Sequence, residues 1–77
     1  MSYFYSKLKE CRQSHGYYQR ELAEVAGISL RAYQLYEQGK TEPSIDVLIR
    51  FADIFNVSLD YLVGRSDDPQ FPLRDSK

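Results

Sequence analysis

The sequence predicts an all-α domain of five short helices. Three observations carry that reading. Apolar residues recur at i, i+4 and i+7 with charged residues between them. Serine or glycine stands at most of the places where such a run begins or ends. No stretch alternates apolar and polar residues as a half-buried strand does, and no internal repeat is present.

The first helix is expected from Tyr3 to Ser14, with Phe4, Leu8 and Cys11 on its apolar face and Gly16 in "HGYY" stopping it. The second, "QRELAEVAG", places Leu22, Val25 and Ala26 on one face and ends at Gly27. Its N-cap falls on Tyr18, a poor capping residue, although Glu21 at N3 supplies half of a capping box. Ser29 caps the third helix, Leu30 to Gln38, which Gly39 terminates. After "GKTEP", Ser44 caps a fourth helix, Ile45 to Phe55, and Asp46 suits the positive end of its dipole. That helix is expected to bury Ile45, Leu48, Ile49, Ala52 and Phe55, with Phe51 completing the core and Asn56 ending the helix. Ser58 caps a fifth helix, Leu59 to Val63, before Gly64. The expected organisation is one domain, residues 1–64, and an irregular tail, residues 65–77, rich in proline and charge.

Composition narrows the function. Seventy-seven residues lie near the lower limit for a chain that folds on its own core. With one cysteine, Cys11, and one histidine, His15, neither an internal disulfide nor a zinc pattern can form, so no metal and no cofactor are expected. Cys11 reads as buried and inert, and His15 as a solvent-facing residue at a helix end. No nucleophile–base pairing or phosphate-cradling glycine loop appears, so an enzyme is not expected. "MSYFYSKLKE" has no signal-type apolar centre, and no run approaches the ~20 apolar residues of a membrane span. A cytoplasmic protein with no membrane partner is therefore expected. The net charge of −1 hides a polarity: residues 1–40 carry six basic and four acidic groups (+2), residues 41–77 four and seven (−3).

The second and third helices are short, joined by the tight turn "AGIS" and followed by a further glycine turn. That is the plan of a helix-turn-helix, whose second helix enters the DNA major groove. Ala23 is small where two helices cross closely, Gly27 can take the positive φ that ends a helix, and Ile28 should be core. On the third helix, Tyr33 and Tyr36 face the core, while Arg31, Gln34, Leu35 and Gln38 fall on the opposite side. Arginine and glutamine can read guanine and adenine edges bidentately, and a leucine can pack on a thymine methyl. Lys40 and Thr41, in the turn after Gly39, suit a backbone phosphate.

In "QRELAEVAGIS", "YEQGKTEPS" and "LIRFADIFNVSLDYLVGRSDDP" the chain resembles the Cro/repressor-type, XRE-like helix-turn-helix regulators. Gln19, Ala23, Gly27, Tyr36-Glu37, Gly39-Lys40, Pro43 and Leu59 to Leu62 fall in register, and the likeness covers Leu8 to Pro69. It implies a compact five-helix, lambda-repressor-like DNA-binding domain. Gln19, opening the second helix where backbone N–H groups favour an anion, would clamp a DNA phosphate. Arg12 and Glu37 would form a partly buried ion pair fixing the first helix against the third. The first residues of the third helix and Leu35 would approach the bases.

The base-reading set is then Leu30, Arg31, Ala32, Gln34 and Leu35, and the phosphate set Tyr18, Gln19, Gln38, Lys40 and Thr41. Three tyrosines depart from the family pattern: Tyr17 for leucine, Tyr18 for the capping Ser or Thr, and Tyr33 for a smaller branched residue. The Tyr33 hydroxyl needs a partner. Val47, Ile54, Tyr61 and Phe71 are candidates for a homodimer contact. The expected function is a transcriptional regulator, a repressor, that binds double-stranded DNA at a palindromic operator as a homodimer. No small-molecule ligand or separate sensor domain is expected. The alternative is a protein–protein interaction module on the same scaffold, holding an antirepressor or a toxin.

Overall fold

The computed structural model describes residues 4–65 and residue 68. Within them the chain forms α1 (Phe4–Ser14), α2 (Gln19–Ala26), α3 (Leu30–Glu37), α4 (Ile45–Phe55) and α5 (Leu59–Leu62), with no strand among the described residues. From the end of α1 onward the boundaries fall close to where the cap residues predict them, and Tyr3, the expected start of the first helix, lies outside the described residues. Gln38 and Val63, expected as last helical residues, are instead the C-caps of α3 and α5. The Ser29, Ser44 and Ser58 hydroxyls each accept the N–H three residues on, from Ala32, Val47 and Tyr61. Gly27 ends α2 at φ 73°, and Ile28 N–H then reaches back to Ala23 O at 3.0 Å, the bond pattern of a glycine-terminated helix.

α2 packs on α3 and α4, α1 on α3 and α5, and α4 on α5. Between them lies a core of Phe4, Leu8, Cys11, Leu22, Ala23, Ala26, Tyr33, Leu48, Phe51, Ala52, Phe55, Val57 and Leu62. Phe51 is its aromatic centre, edge-on to Tyr33 and Tyr36 and stacked with Phe55. Ala23 and Ala26 give α2 the slim inner face that lets it seat against two helices at once.

Two expectations about the core are corrected. Val25, placed on the apolar face of α2, is 56% exposed. The buried row Leu22, Ala23 and Ala26 centres on Ala26, and Val25 lies one residue, about 100° round the helix, away from it. Ile45 and Ile49, placed in the core, are 63% and 42% exposed. The inner row of α4 is Leu48, Phe51, Ala52 and Phe55, an i, i+3, i+4, i+7 stripe, and Ile49 is rotated off one side of it. Val47 and Ile54 lie on the other side, half-buried and packed against the core.

Candidate nucleic-acid interface

α2 begins on an extended Tyr18, whose N–H donates to Glu21 Oε1 at 2.9 Å while the residue as a whole is 76% exposed. The carboxylate thus satisfies one donor of a helix start that the phenol cannot cap. Gln19, the first residue of α2, is half-buried beside α3.

α3 turns Tyr33 fully inward and Tyr36 partly so. On the other side Arg31 and Gln38 are exposed, and Leu30, Ala32, Gln34 and Leu35 are half-buried. Leu30 and Leu35 lie outside the set of apolar residues packed on the core. The helix closes at Gly39, φ 76°, with Lys40 N–H donating to Leu35 O at 3.0 Å, and Lys40 and Thr41 follow, both exposed. The Tyr5 ring of α1 lies on this turn: a Cβ at Gly39 would stand 3.0 Å from its Cδ2.

The interior of the corner is polar at one point, the Glu37 carboxylate. Arg12 Nε donates to its Oε2 at 2.7 Å and Gln19 Nε2 to its Oε1 at 2.9 Å, and the Tyr33 hydroxyl also donates to Oε2. Arg12 Nη1 donates further to Tyr17 O at 3.0 Å, tying the α1–α2 turn to the same group. Only 12% of the Arg12 side chain and 6% of the Glu37 side chain is exposed. Gln34 Nε2 reaches Gln19 Oε1 at 3.3 Å, extending the chain of bonds to the outer side of α3. Among the described residues, no buried side-chain nitrogen or oxygen lacks a partner.

Electrostatics follow from this geometry. Burial pushes the Glu37 carboxyl up, but the hydrogen bonds from Arg12, Tyr33 and Gln19 and the nearby guanidinium charge outweigh it and hold it below the usual carboxylate range. Burial, and then the Glu37 carboxylate, push the Tyr33 phenol well up, so it stays a donor. The Glu37 hydrogen bond raises Arg12 further.

The structure therefore brings Arg12, Gln19, Gln34 and Glu37 into one bonded group and leaves Arg31, Gln38, Lys40 and Thr41 exposed. Tyr61, half-buried, packs on the core and lies under Lys7 Nζ, 4.4 Å from its ring centroid. Phe71 and the rest of the expected tail beyond Asp68 lie outside the described residues. His15 is exposed, as expected, with Nδ1 2.9 Å from Cys11 O and its ring 5.1 Å from Phe55. Tyr33 as a donor to Glu37 is an i, i+4 pair, a spacing legible in the sequence. The Gln19–Gln34 bond and the seat of Tyr5 on Gly39 left no such mark. No group of three or more His, Cys, Asp or Glu side chains among the described residues is placed to hold a metal ion. No helix among them is long and apolar enough to cross a membrane.

A short helix crossed by a second at a glycine turn, with a polar outer face, defines a helix-turn-helix protein. The sequence matches the helix-turn-helix family over residues 8–62, and the chain belongs to that family, in its XRE or Cro/repressor type. It is 40% identical over 70 residues to the SPbeta prophage-derived HTH-type transcriptional regulator YonR of Bacillus subtilis, covering 91% of this chain and 64% of that one. It is 39% identical over 61 residues to the HTH-type transcriptional regulator ImmR of the same organism, covering 79% of this chain and 48% of that one. The chain thus spans about half to two thirds of the length of these relatives. A transcriptional regulator from Listeria innocua superposes with a TM-score of 0.76 at 33% identity, over 95% of this chain and 65% of that one. The DNA-binding domain of the P22 c2 repressor superposes with the same TM-score at 24% identity, over 91% of each chain, a likeness of fold.

Proposed function

We propose that the chain binds double-stranded DNA with α3 in the major groove and acts as a transcriptional repressor. The observation that carries this reading is the polar side of α3, held in fixed register against α2 by the buried Glu37 group. Its relatives YonR and ImmR are named as HTH-type transcriptional regulators, which supports the regulatory part of this reading. Arg31, exposed in the first turn of α3, and Leu35 meet base edges, with Leu30 and Ala32 beside them. Gln19 at the start of α2, together with the exposed Tyr18, Gln38, Lys40 and Thr41, grips the sugar-phosphate backbone.

One such unit covers few base pairs, so the operator is a palindrome bound by two copies, with half-sites roughly 34 Å apart. In this proposal the two copies meet around the α4–α5 connection, through the outer parts of Val47, Ile54 and Tyr61, and through Phe71, which lies outside the described residues. Selection of bound duplexes from a random pool, followed by footprinting, tests all of this. A two-fold symmetric consensus protected over two half-sites is the expected result. A chain that passes through heparin and random duplex without retention at low salt is instead a protein-binding module on this scaffold, and the DNA reading fails.

A further inference from the structure

Gln34 stands on the outer side of α3, where residue type and helical spacing alone mark it as a base reader. Its amide is engaged elsewhere. Gln34 Nε2 lies 3.3 Å from Gln19 Oε1, and Gln19 Nε2 lies 2.9 Å from Glu37 Oε1. The orientation of both amides follows from the end of the chain. A carboxylate only accepts, so Gln19 must turn its NH2 to Glu37, which leaves its carbonyl oxygen toward Gln34 and requires an N–H there. Reversing either amide sets two acceptors or two donors face to face. Each NH2 has two hydrogens, so the Gln19 amide can hold Glu37 and still offer one hydrogen to a phosphate oxygen. Arg12 and the Tyr33 hydroxyl fix the carboxylate at the inner end, and Gln34 fixes the Gln19 amide at the outer end.

We infer that Gln34 is a positioning residue: its side-chain N–H sets the Gln19 amide for the DNA backbone, joining the phosphate grip on α2 to the base-facing helix α3. The inference rests on the proposed DNA reading and adds to it. Affinity contributed through Gln34 is independent of base sequence. Arg31 and Leu35, not Gln34, then carry the discrimination on the exposed side of the helix.

Gln34→Met keeps the length and helix preference of the side chain and removes its donor. In the DNA-free protein, the side-chain NH2 resonances of Gln19 are expected to shift in this variant. Unchanged resonances overturn the inference whatever the chain binds. On duplexes carrying every single-base change in the selected consensus, Gln34→Met is expected to weaken binding roughly 3- to 10-fold on all of them, without reordering them. In a Gln19→Ala background the same change is expected to have no further effect. A loss confined to changes at one base pair makes Gln34 a base reader, and full additivity with Gln19→Ala breaks the link; either result overturns the inference alone. A wild-type chain that binds no duplex overturns the DNA reading with it. Thermal melting of each variant confirms that folded protein is being compared.

Discussion

Arg12 Nε lies 2.7 Å from Glu37 Oε2, a bond across 25 positions in sequence that pins α1 to the end of α3. Both side chains are largely withdrawn from water, and the carboxylate takes further hydrogen bonds from Gln19 and Tyr33. The pair is therefore expensive to break from one side, because the remaining partner would keep its charge in a site that cannot solvate it. Glu37→Ala is expected to lower stability by about 3 kcal/mol. Urea unfolding followed by circular dichroism measures it, and a change under 1 kcal/mol, on the order of a surface pair, would show the bridge to be ornamental.

The same carboxylate makes stability depend on pH with a definite sign. Glu37 titrates below its ordinary range in the folded chain, so the unfolded state takes up a proton first as pH falls. Its contribution is complete above the unfolded pKa of about 4.3 and is lost as pH drops through the lower folded value. Glu37→Gln should be less stable than wild type at neutral pH, and the gap should close on the acid side. Parallel curves from neutral pH to well below the unfolded pKa of about 4.3 would contradict this.

Gly39 is held by two separate demands. Its φ is 76°, and the Tyr5 ring leaves no comfortable room for a Cβ. Gly39→Ala is expected to cost about 1–2 kcal/mol through the backbone alone, with an added steric part. In a Tyr5→Ala background that added part should vanish, so the two changes should be less than additive in a double-mutant cycle. Strict additivity would mean that the ring moves aside freely.

Leu35 is half-buried yet sits outside the core set, on the side of α3 away from Tyr33. Leu35→Ala is expected to relax preference at one base position while changing stability by less than about 1 kcal/mol. Competition binding against single-base variants of the consensus reads this directly. A uniform loss across all variants, or a fall in stability of several kcal/mol, would assign Leu35 to packing instead.

Lys40, exposed in the turn after Gly39, should behave in the opposite way. Lys40→Ala is expected to weaken binding to every duplex alike and to reduce the slope of log affinity against log salt by about 1. An unchanged slope would remove Lys40 from the phosphate set.

Helix boundaries were legible because serine caps and glycine stops are local chemistry, readable from one or two residues. The side that a marginal apolar residue faces was not, because it depends on where the neighbouring helices sit. Ile45 and Ile49 are as apolar as Leu48, and only the approach of α2 and α5 to α4 decides which row is covered. At the site, the polarity of α3 was readable from periodicity. The engagement of Gln34 was not, since its partner is fifteen residues away on another helix and a glutamine on the polar side of a helix carries no signal of what it holds.

The seat of Glu37 has a further consequence for how the domain opens and closes. Donors reach this one carboxylate from α1, α2 and α3 itself, so removing either neighbouring helix strands a charge in a poorly hydrated place. Partly unfolded forms that keep the helix-turn-helix but release α1 are penalised, and so are forms that keep α1 but release α2. The three helices are thereby tied into a single cooperative unit, and the surface offered by α3 exists only when all of that unit is in place.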